Sequence, residues 1–188
     1  MPYYEEHASE YIEKTFGVDM SSPCDLFLER IPECGYILDV GFGSGRDSLY
    51  FKNRGYQVLG IDVVPAFVDH AKRLGLEAKL LSVLDLDYQN AFDGVYASAS
   101  LLHLNMEELK AALKKIKESL KVGGILYMSF KYGTFAGFRD SRYYLDMTLE
   151  TMKPILEEIG LDLLNAKIED DRLERDNRWI EFLARKSH

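Results

Sequence analysis

The chain has 188 residues, 47% hydrophobic and 29% charged, and a net charge of −8 at neutral pH. That length suits one domain with a single substantial core, and the composition excludes disorder. The basic residues form no long block of the kind nucleic-acid binders use, and no apolar run of about 18 residues could span a membrane.

The opening MPYYEEHASEYIEK is acidic and aromatic without an apolar core. It does not have the pattern of a secretory signal, and it predicts a helix over 3–15. Cys24 and Cys34 match neither a metal-ligand spacing nor a disulfide framework, which predicts reduced thiols in a cytoplasmic protein and no metal site. Short apolar runs at 36–40, 57–61, 78–82, 92–97 and 124–130 predict strands, and amphipathic stretches at 45–54, 65–74 and 106–120 predict helices between them. In the last of these helices Leu109, Leu113, Ile116 and Leu120 fall on one face, and Gly123 and Gly124 are expected to end it. Further on, 148–159 predicts a helix with Gly160 as its C-cap, and 161–168 and 179–183 predict strands joined by a charged connection at 169–178. No internal repeat or second domain is evident. Strands alternating with helices predict an α/β domain whose sheet is mostly parallel and covered on both faces.

The most informative segment is ILDVGFGSGRD at 37–47, where an apolar strand runs into Gly41, Gly43 and Gly45 and a helix follows. Glycine permits positive φ in the tight turn and lets a ligand approach bare main chain, and the helix start offers unpaired amides. The alternative is a purely structural turn. Asp62 ends the next strand 21 residues after Gly41, the spacing at which a carboxylate takes the ribose hydroxyls of an adenosine-containing cofactor. Asp62 is also placed to cap the helix at Pro65, and the two roles do not exclude each other. The glycines are spaced G-x-G-x-G with Arg46 next, not the G-x-G-x-x-G of a dinucleotide site.

D-x-G-x-G-x-G at Asp39, Gly41, Gly43 and Gly45 resembles motif I of the class I S-adenosylmethionine-dependent methyltransferases. FDGVYASASLLHL at 92–104 resembles the family's fourth strand and its loop, and LKVGGILYMSFKYG at 120–133 its fifth strand. GSGRDS, SASLLH, SFKYG and Arg178-Trp179 are similar to the small bacterial tellurite-resistance-like subgroup. The resemblance covers nearly the whole chain. It implies a Rossmann-like three-layer sandwich, with a seven-stranded mostly parallel sheet, the last strand antiparallel, and helices on both faces. It also implies one domain over 1–188, with 1–30 as a helical cap on the cofactor site and 134–147 as a substrate-side loop. Phe42 stands where the family usually has Cys. Ser82 stands where an Asp often holds the adenine amino group, with Asp85 as a candidate substitute.

The cofactor implied is S-adenosylmethionine. Its expected contacts are Asp39, Gly41, Gly43, Gly45, Arg46, Asp62, Val63, Ser82, the Val83 amide and Ser98, with Tyr4 and Tyr11 closing over the methionine end from one helix face. Arg46 and Asp47 either bracket the methionine carboxylate and ammonium or simply start the helix. The methyl acceptor is expected to be a small molecule beside His103, Lys131, Tyr132, Arg142, Tyr144, Arg172, Arg178 and Trp179. His103 is the candidate base, or else a structural histidine bonding the loop backbone. Lys131 and Arg142 suit an anionic acceptor. The competing functions are a catalytically silent cofactor-binding protein, a nucleic-acid methyltransferase and a nicotinamide-dependent oxidoreductase. A monomer or weak homodimer is expected.

Overall fold

The computed structural model describes residues 2–173 and 175–188. Three short helices open the chain: α1 (Pro2–Glu6), α2 (Ala8–Thr15) and α3 (Ser21–Leu28). Strands and helices then alternate as β1 (Tyr36–Val40), α4 (Arg46–Asn53), β2 (Gln57–Asp62), α5 (Pro65–Arg73), β3 (Glu77–Leu80), β4 (Phe92–Ala97), α6 (Met106–Ser119) and β5 (Leu120–Lys131). Single 3-10 turns lie at Val83–Asp85 and Leu101–His103. A hairpin of β6 (Ala136–Arg139) and β7 (Arg142–Leu145), helix α7 (Leu149–Ile159), and the long strands β8 (Leu161–Asp170) and β9 (Arg178–Lys186) complete the chain.

The main sheet has seven strands in the order β3-β2-β1-β4-β5-β9-β8, with β9 antiparallel to both of its neighbours and the other pairings parallel. This is the Rossmann-like architecture expected. Because successive residues of a strand point to opposite faces, β1, β4 and β5 supply two cores at once. Ile37, Tyr96 and Tyr127 pack with Phe27 of α3 and Phe51 of α4, while Leu38, Val95 and Met128 pack with Leu113 of α6 and Leu156 of α7. A third cluster joins α5 to the opening helices through Phe67, Ala8 and Phe42. The strand order reverses direction between β1 and β4, so a crevice opens beyond their carboxyl ends.

Several boundaries differ from the sequence expectations. The helix expected over 3–15 breaks at His7, whose backbone lies at φ −117°, ψ 22°. The break lets Tyr4 and Tyr11, now on separate helices, both reach the ring of Phe67, with centroids 6.2 and 5.3 Å away. Helix α3 follows the expected 3–15 helix, inside the 1–30 span expected to be helical; it is two turns long, and its Cys24, Phe27 and Leu28 are buried. Helix α6 opens with a reciprocal capping box between Asn105 and Glu108, and it ends at Ser119 instead of at Gly123. Residues expected as a substrate-side loop, 134–147, contain the β6–β7 hairpin, whose turn residue Asp140 adopts φ +53°.

Candidate functional site

Two adjoining hollows occupy the crevice, of about 370 and 120 Å³, and both are lined by Tyr4, Tyr11, Gly41, Ala99 and His103. The smaller hollow is bounded by the glycine loop and the tip of β2. At Gly43 the backbone has φ +54°, and an added Cβ would stand 2.9 Å from the Tyr11 ring, so a side chain here would both strain the turn and fill the hollow. The Gly43 amide donates to Asp62 Oδ2 at 3.0 Å, and the Val64 amide donates to Oδ1 at 3.0 Å. The carboxylate therefore faces the glycine loop at the floor of the hollow. Burial raises the Asp62 pKa, against the pull of these amides. The N-cap of α5 is Val64, so Asp62 is not the cap that its sequence position allowed.

Val63, Ser82 and Val83 line the same hollow. The Ser82 hydroxyl accepts from the Leu84 amide at 3.2 Å and so caps the 3-10 turn. Asp85 is exposed and lines neither hollow, so it does not replace the missing Asp at 82. Gly45 also lies outside both hollows: it is the left-handed N-cap of α4, and a Cβ there would meet Leu76 at 3.2 Å. Its glycine serves the turn and the packing beneath it. Phe42 fits in place of the usual Cys because Gly60 on β2 has no side chain, since a Cβ there would lie 2.6 Å from the Phe42 ring.

The larger hollow continues past Asp39, Ser44, Arg46, Asp47 and Ser98. Arg46 grips its neighbour Asp47 in a two-pronged ion pair at 2.7 and 2.9 Å, and it donates a third bond to the Thr15 carbonyl at 3.1 Å. This pair fastens the end of α2 to the start of α4. Asp39 is buried and accepts from the Ser48 hydroxyl at 2.6 Å. Burial, reinforced by the charge of Asp47, pushes its carboxyl up to about 8. A carboxyl raised in this way contributes stability that is complete below the ordinary value of 3.8 and lost as pH rises through about 8. Asp39→Asn is therefore expected to stabilise the ligand-free protein at pH 9 relative to wild type by ~1–3 kcal/mol, the scale of relieving a buried charge, with no gain at pH 4. Thermal melts of both proteins across that range check it, and equal pH dependence would count against the assignment.

At the far end of the larger hollow, β5 and β9 determine which side chains enter. Lys131 pairs with Trp179 and Ser129 with Glu181 in the antiparallel register, and all four line the hollow. Tyr132 and Arg178 follow in the opposite phase of the pleat and lie outside both hollows, with the Arg178 guanidinium 4.8 Å from the centre of the Tyr132 ring. Of the expected acceptor contacts, these two do not line the hollow. Ser129 and Glu181 were missed, and counting by two from Lys131 and Trp179 would have found them. Arg142, Tyr144 and Arg172 do line the hollow.

Asp171 was also missed. It accepts from Trp179 Nε1 at 2.8 Å, from the Leu173 amide at 2.8 Å and from Arg175 at 2.9–3.2 Å, which anchors the Trp179 ring. His103 is held from both sides, with Nδ1 2.8 Å from the Tyr143 carbonyl and Nε2 2.9 Å from the Tyr4 hydroxyl. A carbonyl can only accept, so Nδ1 carries the proton and Nε2 presents its lone pair. Burial, with Arg142 and Lys131 nearby, lowers the His103 pKa.

Residues 37–124 match the methyltransferase-domain family model. The Haemophilus influenzae protein named probable S-adenosyl-L-methionine-dependent methyltransferase TehB is 31% identical over 94 residues, covering 47% of this chain and 33% of that protein. The chain thus spans about a third of the length of this curated relative. A TehB-like S-adenosylmethionine-dependent methyltransferase from Corynebacterium glutamicum shares the fold with a TM-score of 0.74 at 21% identity, over 99% of this chain and 100% of that one. The 1,6-didemethyltoxoflavin-N1-methyltransferase of Burkholderia thailandensis, solved with bound 1,6-didemethyltoxoflavin and S-adenosylhomocysteine, aligns with a TM-score of 0.75 at 23% identity, over 89% of this chain and 76% of that one. The bare main chain at Gly43 and the buried carboxylate facing it suit an adenosyl cofactor. Over residues 37–124 the chain is thus similar to methyltransferase domains, and it resembles the TehB-like proteins.

Proposed function

We propose that the protein is an S-adenosylmethionine-dependent methyltransferase that acts on a small molecule in the cytoplasm. The observation that carries this reading is the Asp62 carboxylate, held against the Gly43 amide at the floor of a hollow that continues to His103 and Lys131. Asp62, Val63, Ser82 and Val83 would hold the adenosine end, and Asp39, Ser44 and Ser98 the amino-acid end. When bound, the cofactor supplies an electrophilic methyl group on its sulfonium.

The remaining work belongs to the chain: aligning the acceptor, excluding water and taking up a proton where the nucleophile carries one. Tyr4 on α1 and Tyr11 on α2 pack edge to face at 5.3 Å and line both hollows. The neutral His103 Nε2 accepts from the Tyr4 hydroxyl, so a proton from the acceptor can pass to the phenol oxygen as the phenol gives its own to Nε2. A hollow of about 370 Å³ is within the range of small-molecule pockets, and the net charge of −8 disfavours a nucleic-acid acceptor.

Calorimetry with S-adenosylmethionine, S-adenosylhomocysteine and NADH, followed by a labelled-methyl screen of metabolite extracts, tests the proposal. Binding of the first two and methylation of a small compound is the expected result. Tight binding of NADH instead would overturn it, and cofactor binding without transfer would leave a silent binding protein.

A further inference from the structure

We propose that the methyl acceptor carries a carboxylate, gripped by Arg142 and Lys131 beside the Tyr144 ring; this deepens the methyltransferase reading and rests on it. Three cations surround that ring, with Lys131 Nζ 4.6 Å, the Arg142 guanidinium 5.3 Å and the Arg139 guanidinium 5.4 Å from its centre. Arg139 is neutralised by a two-pronged pair with Asp146 at 2.9 and 2.6 Å. Among the described residues, neither Lys131 nor Arg142 has an ion-pair partner. Of the acidic side chains across the hollow, Asp171 pairs with Arg175 and Glu181 lies 3.8 Å from Arg172. Among the described residues the Nε of Arg142 is buried without a hydrogen-bond partner, and the one hydrogen bond of its guanidinium is long, from Nη1 to the Tyr4 hydroxyl at 3.5 Å.

Two unpaired cations in a partly buried hollow are costly, all the more conspicuously in a chain of net charge −8. Burial and the neighbouring arginines lower the Lys131 pKa, and the Asp146 carboxylate, already paired with Arg139, offsets this only in part. A carboxylate relieves this arrangement. The guanidinium fork matches its two oxygens, and the ammonium adds a second point charge. A neutral acceptor leaves the strain in place, and a cationic acceptor increases it. The His103 ring meets Tyr144 edge-on at 4.9 Å, so an anion held there brings the rest of a small acceptor next to His103 and the Tyr4 hydroxyl bonded to it.

The test titrates acetate, benzoate and salicylate, their neutral amides, and inorganic phosphate into the protein loaded with S-adenosylhomocysteine. At least one carboxylate is expected to bind about tenfold or more tightly than its amide, and Arg142→Gln and Lys131→Met are each expected to lose about tenfold in that affinity. Equal binding of acid and amide, unchanged affinity in both variants, no carboxylate binding at all, or binding of phosphate alone would each overturn the proposal. S-adenosylhomocysteine affinity, measured in the same wild-type protein, separates the two readings. Normal cofactor binding with indifference to carboxylates removes the anion site only, whereas failure to bind the cofactor removes the methyltransferase reading with it.

Discussion

His103→Gln is expected to lower kcat by roughly 10²–10⁴-fold on the acceptor found by the methyl-transfer screen, the usual contribution of a positioned base, while leaving cofactor affinity within a few-fold. Glutamine retains a polar group near the position of Nε2 but cannot accept a proton at neutral pH. The size of the effect follows from how completely the imidazole is prepared. Its Nδ1 proton is committed to the Tyr143 carbonyl, its Nε2 faces the Tyr4 hydroxyl, and burial disfavours its cationic form. Because the folded pKa lies below the ordinary 6.5, the ring stays neutral as pH falls through that value. The acid limb of kcat/KM is therefore expected below 6.5 in wild type and to disappear in the variant. A loss of less than about tenfold, or an acid limb that persists in the glutamine variant, would assign His103 a purely structural role.

Asp62→Ala is expected to weaken S-adenosylmethionine binding by about a hundredfold, corresponding to ~3 kcal/mol for hydrogen bonds to a charged group. Two losses combine. The acceptor proposed for the ribose hydroxyls goes, and so do the partners of the Gly43 and Val64 amides, which hold the glycine loop in its turn. Asp62→Asn keeps one acceptor oxygen and should fall between wild type and alanine. Calorimetry on the three proteins checks the order, with circular dichroism to confirm that the alanine variant is folded. Affinity within threefold of wild type in the alanine variant would remove the ribose assignment and leave Asp62 as a clamp on its own loop.

The sequence alone determined those parts of the molecule that depend on the local chain. Alternating apolar runs and amphipathic stretches located the seven strands of the main sheet and helices α4 to α7 to within a few residues, since periods of 2 and 3.6 are imposed by backbone geometry. The glycine loop was legible for the same reason: Gly41, Gly43 and Gly45 all have positive φ, a demand each residue type answers by itself. Asp62 was legible because the spacing between two adjacent parallel strands is nearly constant in this fold.

Only the tertiary structure decided which side chains meet across long separations. Gly45 turned out to serve packing against Leu76, and Phe42 fills the space that Gly60 leaves empty. The register of β5 against β9 sent Lys131 and Trp179 into the hollow and turned Tyr132 and Arg178 away, a one-residue difference that no propensity records. Tyr4 reaches His103 across 99 positions, and Arg142 reaches Tyr4 across 138. Such contacts arise when distant elements pack together, because burial rewards whichever side chains the topology brings into one space and carries no mark in the neighbouring residues.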